Sequence, residues 1–259
     1  MEEPRRLEIL PLPLAQPPDE LAWLQQALEG QVRAVAWRSQ PALVVPVSYQ
    51  AHERLPEVSA DFGIHGWPVW VRRSGGGVVP LDPGVLNLTL AYPTSGPGQG
   101  GMERVYDSLC GWLGRALARL GIDARALAVA GSYCDGRFNL AVEQNGVPCK
   151  LAGTAQYWRH RGGRDAVLAH ATLLVDTDVA HLTAQANAFE AALGSTRRYR
   201  ASAMTQVAHL WQVLPPHRGG ADDPLPRTLQ ALAAEFQSAL GGGLVVPPVQ
   251  EVRLARGNT

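Results

Sequence analysis

Residues 138–156 read Phe138-Asn139-Leu140-Ala141-Val142-Glu143-Gln144-Asn145-Gly146-Val147-Pro148-Cys149-Lys150-Leu151-Ala152-Gly153-Thr154-Ala155-Gln156. Two apolar runs, Phe138 to Val142 and Val147 to Ala152, flank Gln144-Asn145-Gly146. Asn-Gly between such runs is the strongest short-range hairpin signal, because its tight turn needs positive φ at both central residues. The pair anchors a strand-rich region. Upstream, Val32 to Trp37, Leu43 to Val47, Trp67 to Arg72, Val78-Val79 and Val85 to Tyr92 read as strands, and Ala126 to Ala130 as a buried-type strand. Val167 to Val175 reads as another, broken at His170.

Helical signals surround these runs. Asp19 is placed to cap a short helix through Leu21, Leu24 and Leu28, and Ala51 to Ser59 reads as a second. Val105, Leu109, Leu113, Leu117 and Leu120 share one face of a long amphipathic helix that Gly121 ends. Helices then dominate, over Val179 to Leu193, Ala203 to Leu214 and Pro226 to Leu240, before a last strand candidate at Leu244 to Val249. A strand-rich front with one long helix, followed by a helical tail, indicates an α+β fold with a mixed β-sheet flanked by helices. The expected organisation is a flexible arm over 1–18 and a catalytic domain over 19–215. A C-terminal helix and strand extension, 216–259, packs on the same domain.

The chain's 259 residues suffice for one good core. With 23 basic and 23 acidic side chains the formal net charge is zero, which argues against a nucleic-acid binder. Arginines nevertheless cluster at Arg159, Arg161 and Arg164 (with His160) and at Arg197, Arg198 and Arg200, which suits an acidic protein partner. The plainer reading of any one of them is a solvated surface. Three cysteines, Cys110, Cys134 and Cys149, make neither a disulfide framework nor a metal-ligand spacing. No membrane span and no signal peptide is read, so a cytoplasmic location is expected.

Three stretches carry chemistry. In Arg72-Arg73-Ser74-Gly75-Gly76-Gly77, the glycines allow close backbone approach and offer N–H groups to a carbonyl or anion. Alone, they read as a tight turn. In Cys149-Lys150-Leu151-Ala152-Gly153, a lysine in apolar company needs partners if buried, and a substrate carbonyl or phosphate would serve. Alone, it reads as a lysine snorkelling from a strand edge. In Gly131-Ser132-Tyr133-Cys134-Asp135-Gly136-Arg137, a cysteine in a polar turn near a cation is a candidate nucleophile, against the alternative of an inert thiol.

Taken in order, RRSGGG at Arg72 to Gly77, D-x-G…N at Asp82 to Asn87, K-L-A-G-T-A-Q at Lys150 to Gln156 and H-x-T-L-L at His170 to Leu174 resemble the lipoate–protein ligase and octanoyltransferase superfamily. That superfamily shares its catalytic domain with biotin–protein ligases, and the resemblance covers roughly residues 20–215. It implies an acyl-binding site lined by Arg73, Ser74, Gly75, Gly76 and Gly77 and by Gly153, Thr154, Ala155 and Gln156. Asp82 and Asn87 would brace the glycine loop, and His170 would be structural, its ring satisfied by backbone. Lys150 would touch the acyl carbonyl or the activating group. Two departures from the ligases stand out. Leu81-Asp82 replaces their usual His-Asp, and Cys134 lies where they have no nucleophile. Both are similar to the cysteine-dependent amidotransferase branch, with Glu143 to Asn145 as an insertion absorbed by the hairpin.

The implied activity is transfer of an octanoyl or lipoyl group, through a Cys134 thioester assisted by Lys150, to a lysine of a lipoyl-domain or glycine-cleavage H-type protein. Acyl carrier protein is a candidate donor, and no cofactor, metal, nucleic acid or membrane is expected. The alternatives are an ATP- and Mg-dependent ligase acting through an acyl-adenylate, and a scaffold that binds acylated domains without chemistry.

Overall fold

The computed structural model describes residues 7–96, 98, 100–213 and 223–240. The expected α+β fold with mixed sheets is present. Among these residues a seven-stranded sheet runs β1 (Glu8–Ile9), β2 (Arg33–Trp37), β6 (Val85–Thr94), β10 (Arg164–Leu174), β9 (Val147–Arg161), β8 (Leu140–Gln144), β7 (Arg125–Ala126). A three-stranded sheet runs β4 (Val69–Arg72), β3 (Ala42–Pro46), β5 (Val79–Leu81). β1 with β2 and β3 with β4 are parallel; the other pairs are antiparallel.

The Asn-Gly turn forms as expected. Asn145 and Gly146 take φ of 52° and 76°, and β8 pairs with β9 across them. β9 continues well past Ala152, to a second tight turn at Gly162-Gly163, where both φ are again positive. β10 returns from that turn without a break at His170, which sits in register between Ala155 and Thr89. The expected strand over Ala126 to Ala130 shrinks to the exposed pair Arg125–Ala126, because β7 is an edge that pairs only with β8 and the chain turns away at Gly131.

The helices cover the sheets. α1 (Glu20–Leu28) is capped by the Asp19 carboxylate, which accepts from the N–H groups of Leu21 and Ala22. α2 (Leu55–Ile64) starts later than expected, with Pro56 in its first turn, where a missing N–H costs nothing. α3 (Gly101–Ala118) buries Leu109, Trp112, Leu113 and Leu117 against the large sheet. Removing a leucine side chain such as Leu113 from water contributes about 1.5–3 kcal/mol. α6 (Pro224–Leu240) lies on α3, with Phe236 edge-on to Trp112 and Glu235 paired to Arg115 and Arg119. α4 (Val179–Ala192) joins α2 and the small sheet in a second core around Leu43, Val45, Leu182 and Phe189. The helix expected over Ala203 to Leu214 is shorter, α5 (Val207–Val213). The residues before it are extended instead: Met204 bridges Lys150, and Thr205 donates its N–H to the Lys150 carbonyl.

Residues 7–18, expected as an arm, lie on the sheet: β1 pairs with β2, Leu7 is buried and Leu14 bridges Ser39. The strand candidate Leu244 to Val249 falls outside the described residues.

One contact locks the small sheet to the end of β10. The Gly84 carbonyl accepts from the N–H groups of Val175 and Asp176, and a Cβ on Gly84 would lie 1.7 Å from the Asp176 oxygen. Gly84→Ala is therefore expected to lower stability by roughly 1–3 kcal/mol, as overpacking does. Gly63→Ala, in exposed helix with open space at its Cβ, should raise it by up to about 1 kcal/mol. Urea melts of the two variants check the contrast; equal midpoints would contradict the locking role.

Candidate active site

A cavity of about 210 Å³ opens where the two sheets meet. Its floor is the large sheet, with Asn87, Thr89, Gly153, Ala155, His170 and Thr172. The small sheet supplies one wall through Val44, Trp70, Arg72, Val79 and Leu81, and residues 17–21 at the start of α1 supply another. Cys134, Lys150 and Met204 close it on the side of β8 and β9.

Lys150 is only 5% exposed. Its ammonium lies over Gly153, where a Cβ would come within 3.0 Å of Nζ, so glycine at 153 is what leaves room for it. Nζ donates to the carbonyls of Tyr133 and, at 3.0 Å, Cys134. Burial pushes the amine down to about 8, against the opposing charges of Cys134 and Asp135. A lysine this low is a usable proton acceptor near neutral pH.

Cys134 is half-buried and takes φ of 51°, a left-handed conformation rare outside glycine. Asn139 holds that turn by donating Nδ2 to the Cys134 carbonyl at 2.7 Å. Gly76 packs against the thiol: a Cβ there would sit 2.7 Å from Sγ. The other two cysteines are structural. Burial pushes Cys110 up to about 11 and also raises Cys149, which faces the Ser202 carbonyl away from the cavity.

The glycine loop is braced by Arg72, whose guanidinium donates to the carbonyls of Val44, Gly75 and Gly77. Burial lowers the Arg72 pKa, opposed by the charges of Cys134 and Glu20, so the cation lies within electrostatic reach of the thiol. Arg73, which the resemblance places in the acyl-site lining, is exposed and lies at the cavity edge. Gly77 is backed by Tyr199, whose hydroxyl would lie 2.7 Å from a Cβ; Tyr199 and Tyr49 both donate to the fully buried Glu190.

Ser74 is buried beneath the loop, its Oγ 2.7 Å from His170 Nε2. His170 Nδ1 faces Glu20 at 3.3 Å, Glu20 accepts from Thr89 at 2.6 Å, and Thr89 accepts from Trp37 Nε1 at 3.0 Å. Burial works against the Glu20 carboxylate, but His170, Thr89 and Arg72 outweigh it and hold the group below its usual range. The expectation that backbone satisfies the His170 ring is thus corrected: side chains do. Glu20, 150 residues from His170, carries no local sequence signal.

Asp82 accepts from Gly84 N and Thr177 Oγ1 and braces the turn after β5, outside the cavity lining. Thr154 lines the cavity and donates to the Phe138 carbonyl at 2.5 Å. Gln156 lies beyond the lining and ties β9 to α3 through the Met102 carbonyl. Among the described residues no group of acidic, histidine or cysteine side chains could hold a metal ion, and no helix is long and apolar enough to cross a membrane.

Residues 21–236 match the family described as the lipoyl protein ligase A/B catalytic domain. An uncharacterised protein of Cupriavidus necator is 47% identical over 197 residues, covering 73% of this chain and 78% of the relative. The octanoyl-[GcvH]:protein N-octanoyltransferase of Kyrpidia tusciae is 38% identical over 186 residues, 69% of this chain but 59% of its own length. The chain thus spans less than two thirds of that transferase. Among solved structures, a lipoate-protein ligase A bound with ATP superposes with a TM-score of 0.65 at 18% identity, over 97% of this chain and 88% of the ligase. The bi-partite lipoate protein ligase of Thermoplasma acidophilum gives 0.58 at 19% identity, over 96% and 87%. At these identities the superpositions establish the shared fold.

Gly76 combines φ of 110° with its contact to Sγ, so Gly76→Ala must move either the loop or the thiol. Iodoacetamide alkylation of Cys134, followed by intact mass, is expected to change in rate at least about threefold, on the scale of a strained backbone position. Alkylation at the wild-type rate would show that the loop does not press on the thiol.

Proposed function

The chain belongs to the lipoyl protein ligase A/B catalytic-domain family, and from that membership we propose that it moves an octanoyl or lipoyl group from an acylated protein to a lysine of a lipoyl-domain or H-type acceptor through a thioester on Cys134. The observation that carries the reading is the pairing of Cys134 with Lys150 in one cavity, under a glycine loop pressed against the sulfur. The activity in the name of the Kyrpidia tusciae relative, octanoyl-[GcvH]:protein N-octanoyltransferase, agrees with it.

The geometry suits a two-step exchange. Cys134 Sγ attacks the carbonyl carbon of the donor amide as its proton passes to the Lys150 amine. The carbonyl oxygen becomes an oxyanion, for which Lys150 and the backbone N–H groups near Gly75–Gly77 are the donors at hand. The C–N bond then breaks, and Lys150 returns the proton to the departing nitrogen. The acyl group remains on sulfur. The acceptor lysine, as free amine, attacks the thioester and gives up one proton, which Lys150 relays to the leaving thiolate. Atoms and protons balance without ATP. An acyl carrier donor would enter by the same attack, with a thiolate leaving instead of an amine. An ATP-dependent ligase would leave the Cys134 contact with Gly76 without a role.

Incubation with an octanoylated H-type protein and a lipoyl domain, without ATP, tests this by intact mass. A hydroxylamine-sensitive octanoyl adduct on Cys134 is expected, absent in Cys134→Ser. Modification that requires free acid and ATP would establish the ligase instead, and unchanged transfer by Cys134→Ala would refute the thioester. Because Lys150 must be unprotonated to take the thiol proton, kcat/KM should rise with pH and level off near pH 8. Lys150→Ala should remove that limb and cost about 10²–10⁴ in rate.

A further inference from the structure

Of the 23 basic side chains, Lys150 is the one lysine and the rest are arginine. Lysine is otherwise among the commonest residues of soluble domains. The replacement bears on chemistry where arginines border the cavity. A Cβ on Gly76 would lie 3.0 Å from Arg72 Nη2 and 2.7 Å from Cys134 Sγ, so guanidinium and thiol face one gap. Arg73 is exposed at the cavity edge. Arg197, also exposed, brings Nη1 to 3.5 Å from a Cβ on Gly77. Arg200 lays its guanidinium on Gly131, three residues before Cys134, and donates to the Ala130 carbonyl at 2.7 Å.

An acyl thioester is an electrophile toward any free amine in reach. A lysine at the mouth, with an ordinary pKa of about 10.4, would be free amine in small fraction at pH 8. Proximity would multiply its rate. Its attack would form a C–N amide bond, break the C–S bond and pass the amine's proton to the departing sulfur. The acyl group would then be fixed on the enzyme itself. Arginine keeps the positive charge and closes this route, because its guanidinium stays protonated. Lys150, the one ε-amine present, is 5% exposed and held by the Tyr133 and Cys134 carbonyls.

We propose that Arg73 and Arg197 are specificity-determining residues: they place cations without a nucleophilic amine at the mouth, so that the Cys134 thioester acylates the acceptor protein's lysine and not the enzyme. This rests on the thioester reading above and concerns which amine receives the acyl group.

Loading Cys134 with the octanoyl thioester of N-acetylcysteamine, in the absence of acceptor protein, tests it by intact mass before and after hydroxylamine. Wild type is expected to carry one octanoyl group, on Cys134 and hydroxylamine-sensitive. Arg73→Lys and Arg197→Lys should each accumulate a hydroxylamine-resistant octanoyl group that peptide mapping places at the substituted position, at least about tenfold faster than Arg161→Lys. Arg161 is the distance control: it ends β9, six residues beyond Ala155 of the cavity floor and so roughly 20 Å away. Adding Cys134→Ala to either rim variant should abolish the resistant adduct. The proposal is overturned if both rim variants load Cys134 yet form that adduct no faster than Arg161→Lys, the outcome expected if arginine is only a compositional habit of the chain. A resistant octanoyl group on wild-type Lys150 would overturn it as well. If wild-type Cys134 never loads, the thioester reading fails and this inference goes with it; a loaded thioester without the amide refutes this inference alone.

Discussion

Most of the site depends on where the Lys150 ammonium has gone. A buried cation is tolerable only with partners, and here two successive backbone carbonyls, Tyr133 and Cys134, supply them. One interaction thus solves two problems. It satisfies a lysine carried into the interior by a central strand, and it holds the Cys134 turn in a conformation that its Cβ disfavours. Asn139, at the start of the same hairpin, takes the Cys134 carbonyl from the other side. Thr205 then fixes the lysine's own carbonyl, so the segment before α5 is tied to the same point. Nucleophile, cation and cavity wall are held by a few hydrogen bonds within one layer.

The opposite side of the cavity is organised by a chain of polar side chains in a largely apolar setting. Ser74, His170, Glu20, Thr89 and Trp37 connect the glycine loop, β10, α1, β6 and β2. The Ser74 Oγ and His170 Nε2 lie 2.7 Å apart, so the hydroxyl is tied to the imidazole and through it to Glu20. The chain is thus a brace that ties the glycine loop to the sheet.

Much of this was legible in the chain. The Asn145-Gly146 turn, the α3 stripe and the Asp19 cap are local signals, and local physics decides them. Lys150 and Cys134 stood out because each breaks a local rule, a charge inside an apolar strand and a thiol in a polar turn. What was missed is non-local. Glu20 and His170 meet only after the sheet is assembled, and Tyr49 and Tyr199 meet at Glu190 from distant parts of the chain, with Tyr199 set against Gly77. The bracing of the glycine loop by Arg72 is also non-local in part, since its guanidinium reaches the Val44 carbonyl of β3 as well as the loop. The length of β9 was also available from Gly162-Gly163, a second two-residue turn of the same kind as Asn145-Gly146.

The three glycines of the loop show why residue type and tertiary position must be read together. Gly75 has open space where a side chain would go; Gly76 meets a thiol, and Gly77 meets a tyrosine hydroxyl. Only the last two are demanded by contact, and they face different partners, one reacting and one structural. Because Tyr199 packs edge-on against Tyr133, the residue before Cys134, the loop and the nucleophile turn share a support. A change at Gly77 would therefore reach Cys134 through two aromatic rings, whereas a change at Gly76 reaches it directly. The distance between sulfur and loop is set from both sides, and that gap is the space in which a carbonyl carbon must fit.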